Sequence, residues 1–417
     1  MLNHIGTQNM NKVSVCIFSV FVLLVCGCAT RTKPDAPASG ASLVLLDAQL
    51  LAKAKERAAD GDPAAAAAVA ELRRDADAAM TAGPFTVVNK TKLPPSGDRH
   101  DYRSLAIYWW PNPDTPDGLP YVNRDGERNP EADQYDGPQL HGMASGAHTL
   151  ALAHYFTGDA RYAERAALLL RTFFLDEATR MNPNLNFAQG VPGRSNGTPT
   201  GIIESVGLAT RVVDAALLLQ GAKAWSDADD RGLRQWFRDY LTWMETSKPG
   251  RLEKVTRNNH AMYYDVQTAA FALYLGDEAH ARAILENSAR RKVDRQVRAD
   301  GSQPEELRRT KSFDYSVYNL QAMFALAVMG KRLGVDLWGY QGPEGQGIPK
   351  ALDCLLPYLD RAKPWPSKQI KRIDPPAALH PFLRQAVVVF GDTRYQSPLE
   401  RSVKPPKGDR MELLYPL

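Results

Sequence analysis

The chain has 417 residues, of which 44% are hydrophobic and 24% are charged, so it can bury a large core in one big domain or two smaller ones. The formal net charge is only +4, which argues against nucleic acid as a partner, although local basic clusters matter more than this total. Three of the four cysteines belong to the N-terminal segment, and Cys354 alone remains in the body, which excludes an internal disulfide and a cysteine-based zinc site there.

The N-terminal segment has the features of an export signal. After Lys12, residues 13–25 form an apolar run that is too short to span a bilayer comfortably and lacks a stop-transfer flank. The sequence Val25-Cys26-Gly27-Cys28-Ala29 resembles the bacterial lipoprotein box, which implies cleavage before Cys28 and a lipid on its thiol. An ordinary secretory signal cleaved nearby is the alternative.

We therefore expect a signal peptide over residues 1–27, a flexible tether over residues 28–42, and one folded domain over residues 43–417. This order predicts a periplasmic or outer-membrane-anchored lipoprotein of a Gram-negative bacterium. The lipid would be the only contact with the membrane, and we expect a monomer.

The amino-acid composition of the predicted folded domain changes at residue 84. Residues 43–82 predict helices, with regularly spaced leucines followed by an alanine-rich stretch. Residues 84–138 are rich in Pro, Gly, Asp and Asn, and Trp109 and Trp110 lie near their centre. Exposed aromatic faces commonly stack on sugar rings, so these two residues are candidate ligand contacts. The alternative is that they fill the base of the domain.

Helices dominate from Gly142 onward, and one junction recurs. A Gly-Asp pair follows an apolar helix at residues 158–159, 276–277 and 391–392, which predicts a glycine C-cap and an aspartate N-cap each time. Further helices are expected at residues 202–220, 227–245, 316–333 and 348–359, and no stretch shows convincing β alternation. Repeated helical hairpins at irregular spacing predict an all-α, incomplete α/α toroid of about six hairpins, with long loops forming a cleft at one end.

Two polar stretches interrupt this helical pattern. Asn258, Asn259 and His260 stand side by side at the start of an apolar helix, where an asparagine could simply be the N-cap. The loop over residues 181–201 carries Gln189 and Arg194 and suits a polar wall around a hydrophilic ligand, or else a plain connector.

Four motifs stand out between roughly residues 85 and 335. They are Asn-Asn-His at residues 258–260, Glu-x-x-Arg-Thr-x-Ser-x-x-Tyr-x-x-Tyr-Asn-Leu at residues 306–320, Tyr-Trp-Trp-Pro at residues 108–111 with Gly-x-Pro-Tyr-Val at residues 118–122, and Phe-Ala-Gln-Gly at residues 187–190. Through these motifs the chain resembles the alginate lyase superfamily of α/α-toroid polysaccharide lyases. The details are more similar to polysaccharide lyase family thirty-eight than to family five.

The resemblance implies cleavage of 1,4-linked polyuronate by β-elimination, without a cofactor or metal. Asn259, His260 and Arg309 would neutralise the uronate carboxylate, with Arg308 as the alternative arginine. Tyr315, whose pKa a neighbouring Arg⁺ should lower, would act as base and acid, and His260 is an alternative base. The remaining candidate substrate contacts are Tyr135, His141, Gln189, Arg194, Trp109, Trp110 and Tyr264.

Two other functions stay open. A glycoside hydrolase on the same toroid would need two carboxylates flanking the bond, and Glu204, Asp265, Asp300 and Glu306 are available. A non-catalytic surface glycan-binding lipoprotein would keep the two tryptophans but would not need Tyr315. Within the lyase reading, the sequence does not choose among mannuronate, glucuronate and guluronate.

Overall fold

The structure, a computed structural model, describes residues 43–361, 363–402 and 406–417. The predicted signal peptide, the tether and Cys28 lie outside these residues. In the first half of the described chain the α-helices are α1 (Ala48–Ala59), α2 (Pro63–Thr81), α3 (Gly137–Thr157), α4 (Ala160–Phe174), α5 (Val213–Leu218), α6 (Asp227–Thr246) and α7 (Lys248–Lys254). The second half contains α8 (Asn259–Leu275), α9 (Glu278–Ala283), α10 (Arg290–Gln296), α11 (Pro304–Leu307), α12 (Ser312–Leu333), α13 (Ile348–Asp353), α14 (Pro375–Val388), α15 (Gln396–Arg401) and α16 (Met411–Leu414).

The three Gly-Asp junctions are confirmed as helix boundaries. Gly158, Gly276 and Gly391 each adopt a left-handed conformation, with φ of 71°, 84° and 67°. The aspartate that follows each glycine accepts a hydrogen bond from a backbone N–H at the start of the next helical turn. Two residues separate the helices at the first two junctions and four at the third, so each junction folds consecutive helices back on each other.

Helix α8 lies at the centre of the fold. Nearly all of its residues are buried, and it packs against α6 on one side and α12 on another. Its side chains are mostly apolar and the apolar ones are not confined to one face, which suits an interior position rather than a surface one. Phe237 of α6 and Phe271 of α8 pack with their ring centroids 4.9 Å apart. This packing gives the polar start of α8 a rigid support.

The predicted helical segments occur, with differences at their ends. Residues 202–220 contain a 3₁₀ turn (Ile202–Ser205), a π turn (Leu208–Val212) and then α5. Residues 348–359 split into α13 and a 3₁₀ turn (Leu356–Tyr358). Helix α12 begins at Ser312 rather than at residue 316, and this earlier start places Tyr315 on its first turn. In the described part of the chain, no helix is both long and apolar enough to cross a bilayer.

Four short strands accompany the helices, and the sequence did not predict them. Three lie in the irregular region and the fourth in the loop over residues 181–201: β1 (Arg103–Leu105), β2 (Trp109–Trp110), β3 (Val122–Asn123) and β4 (Phe187–Gly190). Strand β1 pairs in parallel with β4, and β2 pairs antiparallel with β3. Strands of two to four residues are too short to show an alternating pattern in the sequence. They bring the Trp-Trp segment and the Phe-Ala-Gln-Gly loop to the same side of the helices as the start of α8.

Candidate active site

A cavity of about 660 Å³ contains the four residues that the motifs single out as catalytic: Asn259, His260, Arg309 and Tyr315. Its wall also includes the predicted contacts Trp109 and Gln189. Other polar or aromatic lining residues are Tyr102, Tyr108, Asn123, Asp125, Glu204, Lys311, Asp314 and Tyr318. The cavity is thus where the helical core meets the irregular region.

Asn259 is held in place by Glu306. Its backbone N–H donates to Glu306 Oε1 at 2.7 Å, and its side-chain Nδ2 donates to Glu306 Oε2 at 2.8 Å. Asn258 occupies the N-cap position of α8, as predicted, but its side chain makes no capping hydrogen bond. A carboxylate from a distant part of the chain caps this helix instead. Burial raises the pKa of Glu306, and the hydrogen bonds from Asn259 oppose that rise.

His260 is oriented by a second buried carboxylate. His260 Nδ1 lies 3.0 Å from Oε1 of Glu253, which is 1% exposed. The carboxylate also accepts the backbone N–H groups of Ile202 at 2.8 Å and Ile203 at 3.1 Å. Because Glu253 is the acceptor for these donors, we assign the shared proton to Nδ1, which leaves Nε2 as the ring nitrogen available to a ligand in the cavity. Sequence reasoning missed Glu253, since it belongs to α7 and no motif marks it.

Arg309, and not Arg308, is the arginine of the cavity. Arg309 Nη2 donates to the Tyr315 hydroxyl at 2.8 Å and to Asp125 Oδ1 at 2.5 Å. Its guanidinium carbon lies 3.7 Å from the centroid of the Tyr315 ring. Arg308 pairs with Glu305, and its side chain is 71% exposed. Asp125, another residue that the sequence did not reveal, therefore fixes Arg309 and partly balances its charge.

Tyr315 is a largely buried phenol in this cavity. Burial raises its pKa, and the positive charge of Arg309 only partly opposes that rise. Its hydroxyl donates to the Tyr108 hydroxyl at 3.0 Å, which also favours the protonated form. The net direction is opposite to the predicted lowering, because Asp125 neutralises part of the arginine charge and the ring is largely removed from water.

Glu204 places a carboxyl group on the cavity wall. It accepts hydrogen bonds from the Tyr102 hydroxyl at 2.9 Å and from Ser104 Oγ. Burial raises its pKa to about 7, although these hydrogen bonds lower it. Of the four carboxylates considered for a hydrolase, Glu204 alone is among the residues that line the cavity. Asp265 is instead buried in an ion pair with Lys292 at 2.6 Å.

The other predicted substrate contacts divide into three groups. Trp109 and Gln189 line the main cavity, and Gln189 has a left-handed backbone with φ of 51°, a strained conformation of the kind that clusters at functional sites. Tyr135 and Arg194 line a neighbouring cavity of about 300 Å³. The Arg194 guanidinium carbon lies 5.2 Å from the Trp109 ring, so the two cavities share a boundary.

Trp110, His141 and Tyr264 lie outside both cavities, and the burial of Tyr264 contradicts its prediction as a substrate contact. Tyr264 is 2% exposed, and its hydroxyl donates to the Met244 carbonyl at 3.1 Å, which makes it a core residue. His141 is exposed on α3. Trp110 donates from Nε1 to the Glu127 carbonyl at 2.8 Å, with the Arg124 guanidinium 5.3 Å from its ring. The described residues include no group of three His, Cys, Asp or Glu side chains that could hold a metal ion.

Comparison with known proteins identifies the family. The alginate lyase family model matches residues 86–365, which is well over half of the chain. The chain belongs to the alginate lyase family. The protein is similar to an alginate lyase from Bacteroides ovatus of known crystal structure. The two structures superpose with a TM-score of 0.86, and their sequences are 37% identical over 90% of the present chain and 99% of the B. ovatus chain.

More distant alginate lyases share the fold of this family member. Alginate lyase A1-III from Sphingomonas species A1 has a TM-score of 0.53 at 16% identity, over 90% of this chain and 97% of that one. A variant of A1-III in complex with a tetrasaccharide has a TM-score of 0.59 at 17% identity, over 92% and 97%. A search of curated protein sequences returned no match. The predicted all-α toroid is confirmed, and this member of the alginate lyase family is a polysaccharide lyase.

Proposed function

We propose that this polysaccharide lyase cleaves 1,4-linked polyuronate, either alginate rich in mannuronate or glucuronan, by β-elimination. The observation that carries the proposal is the cavity in which the Tyr315 hydroxyl accepts a hydrogen bond from Arg309 while His260 and Asn259 line the same wall. The solved relatives described above are themselves alginate lyases. This arrangement supplies both kinds of group that the reaction requires.

The first requirement is to neutralise the C6 carboxylate, because the C5 proton is only weakly acidic while that carboxylate carries a full charge. Asn259 donates one N–H of its amide to Glu306, and the second N–H is the donor assigned to the uronate. His260, when it carries a proton on Nε2, and Arg309 complete the set. Their fixed partners hold these donors in position before the substrate binds.

The second requirement is proton transfer, which we assign to Tyr315. In its ionised form the Tyr315 oxygen takes the C5 proton, and the electron pair of the C5–H bond is delocalised from C5 onto the stabilised C6 carboxylate. The C4–C5 double bond then forms as the C4–O4 bond breaks, and O4 takes the proton back from Tyr315. One residue can serve both steps only where the C5 proton and O4 lie on the same face of the ring. Mannuronate and glucuronate meet this condition, and guluronate does not.

A polyuronate panel tests the proposal. Polymannuronate, polyguluronate and glucuronan are each incubated with the enzyme, and the ultraviolet absorbance of the unsaturated uronate is followed alongside the release of reducing ends. We expect unsaturated product from polymannuronate or glucuronan and little from polyguluronate. Reducing ends without unsaturation would instead identify a hydrolase, and binding without any product would identify a non-catalytic glycan-binding protein.

The pH dependence tests the assignment of the base. Because burial raises the pKa of Tyr315, only a small fraction is ionised near neutrality, so kcat/KM should keep rising with pH into the alkaline range. A profile that levels off near neutrality would assign the base to an imidazole instead, and His260 is the imidazole in the cavity.

We also propose that the enzyme is exported and lipidated at Cys28, so that it works in the periplasm or at the outer membrane. The support is the apolar run over residues 13–25 followed by the lipoprotein-like box. Replacing Cys28 with Ser should abolish incorporation of a labelled fatty acid and release the protein into the soluble periplasmic fraction. Persistence of the label in that variant would reject lipidation at this thiol.

A further inference from the structure

A basic strip lies between α13 and α14, and we define it as residues 363–372. It contains Lys363, Lys368, Lys371 and Arg372 and no acidic residue. All four side chains are exposed, and none of them forms an ion pair with another residue in the described ranges. The nearby Arg361 differs, since it pairs with Asp374 at 2.6 Å. Ten residues thus carry four positive charges, while the net charge of the whole chain is +4.

The basic strip is joined directly to the wall of the cavity. The Ile370 N–H donates to the Thr310 carbonyl at 2.9 Å, and the Ser312 N–H donates to the Lys368 carbonyl at 3.1 Å. Lys311, which lies between these two pairing residues, lines the cavity. The strip therefore runs beside the segment that carries Arg309 and Tyr315.

Contacts with the start of α12 also hold the backbone of the basic strip in place. Trp365 donates from Nε1 to Ser312 Oγ at 2.7 Å, and its ring meets Phe313 edge to face with centroids 5.2 Å apart. The Phe313 N–H donates to Gln369 Oε1 at 3.1 Å. These contacts hold the backbone of the strip against the start of α12, while the four cationic side chains extend into solvent. Because the backbone of the strip is already fixed, it loses little backbone freedom when the side chains bind a ligand.

The size of the cavity shows why such a surface is useful. A cavity of about 660 Å³ is on the scale of a drug-sized ligand, so it encloses a short oligosaccharide and not a long polymer. The rest of a bound polyuronate must cross the protein surface, and it carries one carboxylate per sugar. The charged groups inside the cavity offer this chain little net attraction, because Asp125 pairs with Arg309 at 2.5 Å.

We propose that the basic strip binds the part of the anionic polysaccharide that extends beyond the cavity. This inference rests on the proposed polyuronate lyase function and adds a second contact region to it. Exposed charges of this kind raise the rate of encounter and the affinity for a polyanion, and salt screens their effect. The strip should therefore affect KM for long substrates and leave the chemical step unchanged.

The test variant has all four cations of the strip replaced with glutamine. Its kcat and KM are measured on a long polyuronate and on a purified tetrasaccharide, each at low salt and at about 0.5 M NaCl. We expect KM for the polymer to rise about tenfold at low salt, as four weak exposed contacts would give, with kcat unchanged. KM for the tetrasaccharide should stay the same, and high salt should remove the difference between variant and wild type. The matched control replaces four exposed cations on or beside helices that do not line the cavity: Arg73, Lys223, Arg231 and Arg238.

Several outcomes would overturn the inference. A strip variant that matches wild type on the polymer at low salt would do so, as would an equal rise in KM in the control variant. Loss of activity on the tetrasaccharide would show that the replacements damage the cavity instead of a separate surface. Failure of the proposed function looks different, because wild type would then give no unsaturated product from either substrate.

Discussion

Replacing Glu253 with Gln should disable His260 without removing it. The Glu253 carboxylate accepts from His260 Nδ1 at 3.0 Å and from the N–H groups of Ile202 and Ile203 at 2.8 and 3.1 Å. A glutamine has one oxygen, so its amide nitrogen must face a donor on one side. If it faces His260, Nδ1 loses its acceptor, and the imidazole loses both its fixed orientation and the negative charge that supports a second proton on Nε2.

The size of the effect follows from these contacts. Leaving one buried N–H unsatisfied costs roughly 1–3 kcal/mol of unfolding free energy. Relief from burying a carboxylate, whose pKa burial raises, offsets part of this cost, so the net loss of stability should be small. Loss of the partner that orients a catalytic imidazole should lower kcat/KM by about 10- to 100-fold.

The assay measures kcat/KM on the preferred polyuronate across pH, together with urea unfolding at a single pH. The matched control is Glu245→Gln, because Glu245 lies 2.7 Å from His280 in the same type of pair, but with both side chains about one-third exposed. We expect the control to keep full activity and the Glu253 variant to show an altered pH profile. Activity of Glu253→Gln within about twofold of wild type would refute the positioning role.

Three further predictions concern the cavity. Tyr315→Phe should lower kcat by roughly 10²–10⁴-fold while the affinity for polymer, measured by equilibrium binding, is retained. Arg309→Lys should lower kcat/KM by about 10- to 100-fold, because lysine cannot bridge Asp125 and the Tyr315 hydroxyl with a planar fork, and the same measurement on Arg308→Lys should show no change. Glu204→Gln should flatten the pH dependence of unfolding free energy. Burial raises the Glu204 pKa from 4.5 to about 7. The stabilising contribution of the wild-type carboxyl is therefore full below about pH 4.5 and is lost as pH rises through 7. The difference in unfolding free energy is up to roughly 3 kcal/mol, and urea titration at each pH measures it.

Each of these predictions can fail in a specific way. Full turnover by Tyr315→Phe would remove the phenol from the mechanism. Equal losses in the two arginine variants would mean that the ion pair between Arg308 and Glu305 also matters. A wild-type enzyme and a Glu204→Gln variant with parallel stability profiles between about pH 4.5 and 7 would show that this carboxyl ionises normally.

The sequence was a good guide to the parts of the fold that depend on local chemistry. The Gly-Asp junctions were predictable because a left-handed glycine and an aspartate cap are local requirements of a helix boundary. The amide-imidazole cluster at Asn259 and His260 stood out because it is costly at the start of a buried helix unless it has partners. The partners of this cluster were not predictable. Tyr264 was wrongly predicted as a substrate contact, because no local sequence feature shows whether a tyrosine in an apolar helix faces the core or a cavity.

Two of the interactions that sequence reasoning missed join residues that are far apart in the chain. Glu306 holds Asn259 from 47 residues away, and Asp125 holds Arg309 from 184 residues away. A carboxylate in a loop or at a helix start looks like any solvated acid until the fold brings its partner to it. The predicted direction of the Tyr315 pKa shift was wrong for a related reason. The effect of a nearby arginine on a tyrosine depends on burial and on the acid that pairs with the arginine.

The way the site is held also explains how it could combine precision with affinity for a polyanion. Each of the three donors assigned to the uronate carboxylate is fixed by a carboxylate: Asn259 by Glu306, His260 by Glu253, and Arg309 by Asp125. These acids orient the donors but cancel much of the positive charge that would attract the substrate. Orientation therefore comes from inside the cavity, and long-range attraction must come from outside it. The basic strip at residues 363–372 meets that need, which predicts that salt should raise KM for the polymer while leaving kcat nearly constant.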